Sequence, residues 1–404
     1  MTPLEVTASK FLKDSFQGET GRRGVQTLRV LNLVDVSAMI DLMATWTIVG
    51  PGAPFKGGVA QHTTELAHRL ESFGETVTLE SWKRQYPQRL YPGETQISES
   101  DDSTFEATNR RLSWNRPDSW IRVGLGMRKR GGRLIFVGVT PFQYPIYLVI
   151  LFAAGRQARS DSVLIAHNVL PHESSPVDKL IVRLMFKFIG RVVTHSSNEL
   201  DQALELGARA STASLPLHFE FPPDDPPARN SPAELLAFIG FVRPYKGLDL
   251  LIEAIGMSSE GIQLEVMGEF WDGIEKYEQL VDRLSLQDRV TLRPGYATNA
   301  DVVELLDRCD ALVLPYRSAT STQLPRIAFS RGVPVIATQV GDFRDQIRHH
   351  VDGVLCPPAS PSHLSDAISS FYENIHSLRQ NVKAPDISAE WNHYCIELKG
   401  MNRD

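Results

Sequence analysis

From Thr45 onward, short apolar runs of strand length alternate with stretches whose apolar residues recur at helical spacing. TWTIV, VTLESW, RLIFVGV, SVLIAHN and RVVTHS are the strand-like runs of the first half, separated by helical segments such as Val59 to Phe73 and Pro176 to Ile189. This alternation predicts βα units and a parallel sheet. It breaks at HFEFPPDDPPARNSPAE, residues 218–234, where five prolines and a cluster of acids suit neither a helix nor a central strand. It restarts with LLAFIG, QLEVMG, VTLRPG, ALVLPY, PVIAT and GVLCPP, most of them apolar on both faces as a parallel sheet requires. The expected architecture is therefore two parallel α/β domains, residues 45–217 and 235–385, joined by a linker at 218–234. Two such domains face each other across a cleft at the carboxyl ends of both sheets, where ligands of open α/β sheets bind. The tail, 386–404, has a helical pattern with Trp391 as a large anchor and packs either back on the first domain or on its own. Residues 1–44 mix charges and hydrophobics without a sustained period, and no role is assigned to them.

Composition narrows the functional classes without choosing one. At 404 residues the chain can bury two cores of ordinary size. A net charge of -6 gives no general attraction to nucleic acid, so basic residues must act locally. Cys309, Cys356 and Cys395 are far apart with no CxxC spacing, which argues against a zinc site and a disulfide framework. The longest apolar run, Ile146 to Ala154, is too short to span a bilayer, and the start of the chain lacks a basic segment followed by an apolar one. A cytoplasmic protein is the expectation, with a peripheral position on the inner face of the membrane as a variant of it.

Four segments carry candidate chemistry. GFVRPYKG, Gly240 to Gly247, lies between an apolar strand and a helix and holds Arg243 and Lys246 in one tight turn. Strand-to-helix turns are where α/β proteins hold phosphate, and an arginine fork beside a lysine point charge can clamp a diphosphate; a solvated basic loop is the competing reading. PFKGGVAQH, Pro54 to His62, places Gly57 and Gly58 before a helix, so that backbone N–H groups can approach a bulky ligand, or else it is a glycine turn needing positive φ. IAHNVLPHE, Ile165 to Glu173, brings His167 and Asn168 out at the carboxyl end of a strand, with His172 and Glu173 nearby. His167 can donate a hydrogen bond to a sugar hydroxyl or be satisfied by local backbone. SATSTQ, Ser318 to Gln323, precedes a helix from about Leu324 to Arg331 and offers Ser321 and Thr322 hydroxyls and open amides, as an anion site or as plain capping. Outside these, WNRPDSW reads as core or loop anchoring more readily than as a stacking platform. VDKLIVRLMFKFI, Val177 to Ile189, interleaves Lys179, Arg183 and Lys187 with hydrophobics; it reads as an ordinary half-buried surface helix, with contact to an anionic membrane surface as the alternative.

The order of GG loop, strand ending in HN, RPYKG turn, small-residue loop and GVPVIAT strand resembles glycosyltransferases of the GT-B fold, two Rossmann-like domains facing across a cleft, and most closely the retaining group called family 4. The resemblance covers roughly Thr45 to Leu398 and is strongest in GFVRPYKGLDLLIEAI, CDALVLPY and RGVPVIATQVGDFRDQIRHHVDGVLCPP. It implies transfer of a sugar from a nucleotide sugar, UDP- or GDP-linked, to a sugar, lipid-linked or small-molecule acceptor, with retention, without a metal and without a cofactor. It implies Arg243 and Lys246 as the diphosphate clamp, Gly58 with Gly57 as the donor-contacting loop, His167 as the sugar-facing histidine, and Ser321 and Thr322, followed by Gln323, as phosphate-contacting positions. One departure stands out: the family's two glutamates eight positions apart correspond to Ala319 and Ile327 here, so Glu269, Asp272 or Arg293 are the alternative readers of the nucleoside. A non-catalytic nucleotide-sugar-binding or scaffold protein, or a phosphorylase or epimerase on the same fold, are the competing functions.

Overall fold

The structure is a computed structural model that describes residues 44–87, 97, 104–171, 175–219, 221, 224–227, 231–319 and 322–401. Residues 1–43, His172, Glu173 and Ser321 lie outside the described residues, so the amino-terminal segment and those three side chains stay as expectations.

The first domain is a seven-stranded sheet in the order β3-β2-β1-β4-β5-β6-β7, and the second a six-stranded sheet in the order β10-β9-β8-β11-β12-β13. The strands of the first are β1 (Thr45–Val49), β2 (Thr76–Arg84), β3 (Thr108–Ser113), β4 (Arg133–Gly138), β5 (Ser162–Ala166), β6 (Arg191–Thr194) and β7 (Ala210–Thr212). Those of the second are β8 (Leu235–Ile239), β9 (Gln263–Gly268), β10 (Val290–Pro294), β11 (Ala311–Leu314), β12 (Val335–Thr338) and β13 (Gly353–Cys356). Every strand pair is parallel. The central strands are buried along nearly their whole length, as in SVLIA and VIAT, because helices cover both faces.

The connecting helices are α1 (Gly58–Ser72), α2 (Pro117–Arg130), α3 (Tyr144–Ala154), α4 (Arg156–Ser160), α5 (Pro176–Phe188) and α6 (Ser197–Glu205) in the first domain. In the second they are α7 (Leu248–Met257), α8 (Glu275–Arg283), α9 (Asn299–Arg308), α10 (Leu324–Ser330), α11 (Phe343–Gln346) and α12 (Pro361–Asn381), followed by α13 (Ile387–Gly400). Their starts are specified locally. Ser175 with Asp178 and Thr298 with Asp301 form reciprocal capping boxes at α5 and α9. The apolar run at Ile146 to Ala154 lies in the largely buried helix α3, and among the described residues no helix is long and apolar enough to cross a membrane.

Two strands absent from the sequence reading, β3 and β7, lie at the two edges of the first sheet. TNRRLS and AST are short and polar, as exposed sheet edges tend to be, so neither carries the apolar signature of a central strand. The carboxyl-terminal helix α13 leaves the second domain and packs on the first. Trp391, Tyr394, Cys395 and Leu398 join the core formed by Trp46, Leu66, Leu70 and Ile135. Trp391 donates its indole N–H to the Leu217 carbonyl at 2.8 Å, and Arg133 donates to the Lys399 carbonyl at 2.7 Å.

In both sheets the chain order reverses beside the first strand, between β1 and β4 and between β8 and β11. The loops leaving those strands flank the crevice that such a reversal opens. They are the GG loop after β1, the RPYKG turn after β8 and the small-residue loop after β11.

Candidate functional site

The RPYKG turn is built to hold two cations at the end of β8. Gly240 and Gly247 have φ of 110° and 69°, in the region where a Cβ is strained. Between them, Pro244–Lys246 forms one 3-10 turn that runs directly into α7. Gly247 is required twice over, because a Cβ there would fall 2.2 Å from the Pro315 carbonyl oxygen. Gly247→Ala should therefore cost about 1–3 kcal/mol of stability, read as a lowered midpoint in chemical denaturation. Arg317 fastens the turn from the loop after β11: it donates to both Asp249 carboxylate oxygens, at 2.9 and 2.6 Å, and to the Pro244 carbonyl at 2.7 Å.

Within that frame Arg243 stacks against Trp271 at 5.1 Å and Tyr245 at 5.6 Å, and Lys246 lies over the Tyr316 ring at 5.4 Å. Lys246 is only 8% exposed. Burial, with the neighbouring Arg243 charge, lowers its ammonium from 10.5 to about 8. Among the described residues no carboxylate forms an ion pair with either cation. Two close cations without an acid suit a multiply charged anion.

The GG loop faces this turn from the other domain. Gly57 has φ of 104° and caps α1 without a side chain, so the first amides of α1 are unobstructed. A Cβ at Gly58 would lie 3.2 Å from His218 Nε2. The lysine of PFKGG, Lys56, crosses the cleft to Glu269 at 3.1 Å and lies over Tyr296 at 4.7 Å. Gln61 donates to Asn299 at 3.1 Å, tying α1 to α9. A cavity of about 390 Å³ opens beside these residues, with Ala53, Gln61, His218 and Asn299 in its wall. Arg243, Lys246 and His167 do not line it.

His167 emerges at the end of β5, and its Nε2 is closed to solvent with no protein partner. It is one of four histidines in contact: the His62 ring is 4.9 Å from His167, 5.4 Å from His218 and 6.0 Å from His195. Trp391 stacks on His62 at 5.5 Å from α13. Burial, then the charges of His195 and His218, holds His167 well below its usual range, so near neutral pH it acts as a neutral hydrogen-bonding ring. Among the described residues no group of three or more His, Cys, Asp or Glu side chains is arranged to hold a metal ion.

At the small-residue loop, Thr322 accepts from the Leu324 amide at 3.4 Å through its hydroxyl, and its carbonyl accepts from Gln346 at 3.1 Å. Gln323 caps α10 and its Oε1 is buried without a partner. Ala319 rests against Gly341, where a Cβ would fall 2.6 Å from the Ala319 carbonyl oxygen. Ile327 is packed in the core beside Phe329 and Tyr316. The alternative nucleoside readers separate. Glu269 lies at the cleft, bonded to Lys56 and to the Trp271 indole at 3.3 Å. Arg293 is paired with Glu265 at 2.7 Å, a carboxylate that also holds Arg308, which gives it a structural reason to be there. Asp272 pairs with Lys276.

Residues 224–384 match the family described as glycosyl transferases group 1. Solved structures share this fold across most of the chain. The Anabaena Alr3699/HepE complex with UDP aligns with a TM-score of 0.64 at 15% identity, covering 89% of this chain and 100% of that one. The chain has the GT-B fold, and its second domain is similar to glycosyl transferases group 1. Sucrose-phosphate synthase from Thermosynechococcus elongatus shares the GT-B fold, with a TM-score of 0.66 at 17% identity over 87% of this chain and 95% of that one. Among curated proteins, a D-inositol 3-phosphate glycosyltransferase of Segniliparus rotundus is 28% identical over 152 residues, 36% of this chain and 34% of its own. A GDP-mannose-dependent alpha-mannosyltransferase of Mycobacterium tuberculosis is 27% identical over 170 residues, 41% of this chain and 42% of its own. The matched stretch thus spans less than half of those relatives' length.

Sequence reasoning missed four residues around this GT-B cleft. Lys56 was in plain view inside PFKGG, but its partner Glu269 is 213 positions away. Arg317 and Asp249 are 68 apart and carry no local signature. His62 stands inside a helical pattern, where a histidine reads as an ordinary surface or core residue.

Proposed function

We propose that the chain is a metal-independent glycosyltransferase that moves a hexosyl unit from a UDP- or GDP-linked donor to a hydroxyl acceptor with retention at the anomeric carbon. The observation that carries this reading is the pair Arg243 and Lys246, held at the end of β8 with no carboxylate partner among the described residues. When the anomeric C–O bond breaks, its electron pair goes to the diphosphate, and fixed cations stabilise the charge that develops there more than the ground state. The acceptor oxygen forms the new bond to the anomeric carbon, and its proton leaves with the diphosphate oxygen. The unobstructed amides at Gly57 and Gly58 suit the donor from the opposite side, with Thr322, Gln323 and Ser321 at the phosphates and Glu269 at the nucleoside. Donor nucleotides are suggested by the UDP and UDP-glucose complexes of Anabaena HepE and by the GDP-mannose dependence in the name of the mycobacterial relative.

The deciding experiment is a panel of UDP, GDP and ADP sugars incubated with candidate acceptors, with products read by mass spectrometry and anomeric configuration by NMR. His167→Ala should lower kcat/KM for the donor by about tenfold, the scale of one lost hydrogen bond, while inhibition by the nucleoside diphosphate alone stays unchanged. Equal loss in both readouts would place His167 at the phosphates instead.

A second reading draws on Ile327, an apolar residue packed in the core where the family carries a glutamate. It holds that the chain binds nucleotide sugars without transferring them. Calorimetric binding of a donor with neither hydrolysis nor transfer would establish it.

A further inference from the structure

Helix α5 shows hydrophobic residues on two opposite faces, and only one of them is covered. Val182, Met185 and Phe186 are buried against the first domain. Val177, Leu180 and Leu184 recur at spacings of three and four along the outer face and are 62, 68 and 47% exposed. Phe152, at the end of α3, extends that face at 47% exposure and packs edge-on against Phe188 at 4.9 Å. Single exposed hydrophobics need no explanation, but a row of them on adjoining helices does.

Cations border this row. Lys179, Arg183 and Lys187 form a stripe four residues apart along α5, beside the apolar one. Arg156, Arg159 and Arg209 join Lys187 around a groove of about 650 Å³ at the helix's carboxyl end. Arg159 lies over the Phe152 ring at 4.8 Å and Lys187 over Phe188 at 5.7 Å. Among the described residues none of these six is in an ion pair, although the chain as a whole carries a net charge of -6. The neighbouring acids are occupied: Asp178 accepts from the Ser175 amide and hydroxyl in the capping box, and Asp161 accepts from Gln157.

We propose that the outer face of α5, with the α3–α4 turn beside it, docks on an anionic lipid bilayer. The apolar row enters the headgroup and acyl boundary, and the cations meet lipid phosphates along one edge of it. Charge complementarity selects this occupant over a second copy of the chain, because two such faces would bring like charges together. Because α5 follows directly on the loop that carries His167, its first turn, with Val177 and Leu180, holds the bilayer on the same side of the first domain as the cleft. The docking does not rest on the transfer reading, since vesicle binding is read without turnover.

Sedimentation of the full chain with vesicles of phosphatidylcholine alone, and of phosphatidylcholine mixed with phosphatidylglycerol, tests it. Binding is expected to the mixed vesicles only, and to weaken by about tenfold or more when salt rises from roughly 0.05 to 0.5 M. Leu180→Glu with Leu184→Glu, and separately Arg183→Glu with Lys187→Glu, should each reduce it by at least about tenfold at low salt. All four side chains are exposed, and the charge pair serves if the leucine pair fails to fold. Absence of binding to mixed vesicles, equal binding to both compositions, or retention of binding in both double variants overturns the proposal. A dimer that Leu180→Glu with Leu184→Glu converts to monomer, without vesicle binding, would assign the face to a second copy.

Discussion

Lys246→Met should lower turnover by about 10² to 10³ and leave the unliganded protein at least as stable as before. The two halves of this result have one cause. Burial lowers the Lys246 ammonium from 10.5 to about 8, which corresponds to roughly 3 kcal/mol of unfavourable charge burial near neutral pH. Because the unfolded chain holds this proton more tightly, the penalty is fully present at pH 7 and is relieved as pH rises from about 8 toward 10.5. Methionine keeps the stem that packs near Tyr316 and removes the charge, so denaturation at pH 7 should show equal or higher stability. A diphosphate supplies the missing counter-charge and holds the proton in place. Affinity for UDP or GDP should then fall as pH rises above about 8, by up to tenfold per unit, and Lys246→Met should lose that dependence. Unchanged turnover in the variant would sink the clamp assignment. A large loss of stability would show instead that the lysine is structural.

The sheets and the RPYKG turn were legible because each is written in contiguous residues. β8, the turn and α7 occupy one stretch of sequence, and both glycines that the turn requires stand inside it, so GFVRPYKG could be placed at a strand end without a structure. The GG loop was legible for the same reason. What tertiary contact alone creates was not. Arg243 owes its position to Trp271 and Tyr245, and the turn itself is braced by Arg317 through Asp249. The two sheet edges escaped because TNRRLS and AST carry polar residues that suit an exposed border and give no apolar period. The histidines show the limit most clearly. His62, His167, His195 and His218 come from α1, the β5 and β6 loops and the start of the linker, and nothing in their spacing announces that they meet.

That meeting sets the second large effect, a steep loss of stability in mild acid. All four rings are held below their usual range, chiefly by burial, His195 and His218 to about 4 and His62 and His167 well below 6.5. A histidine with a depressed folded value binds its proton more readily in the unfolded chain, so its contribution is complete above about pH 6.5 and is lost as pH falls toward the folded value. Each such ring costs about 1.4 kcal/mol per pH unit across that window. Together they can remove several kcal/mol between pH 6.5 and 5, against a total stability of roughly 5–15 kcal/mol. Ordinary carboxylates titrate near 4, so this window belongs to the histidines. Glu390 and Arg326 tie α13 to α10, and Arg69 lies over the Trp391 ring at 6.0 Å. His62 separates the cause from its neighbours. Both of its ring nitrogens are buried without partners and it stacks on Trp391, so His62→Phe keeps the ring and removes both the unsatisfied atoms and the proton site. Urea denaturation at pH 7.5, 6 and 5 should show the variant equal or more stable at pH 7.5 and less steeply destabilised below 6.5. A variant slope equal to that of the parent would remove His62 from the account, and a parent that keeps its stability to pH 5 would remove the whole cluster. Since Trp391 and Tyr394 reach these rings from α13, acid should loosen the contact that holds the second domain's carboxyl-terminal helix on the first. Fluorescence of Trp391 should therefore change in the same pH window as the fall in stability, and not at the lower pH where the carboxylates titrate.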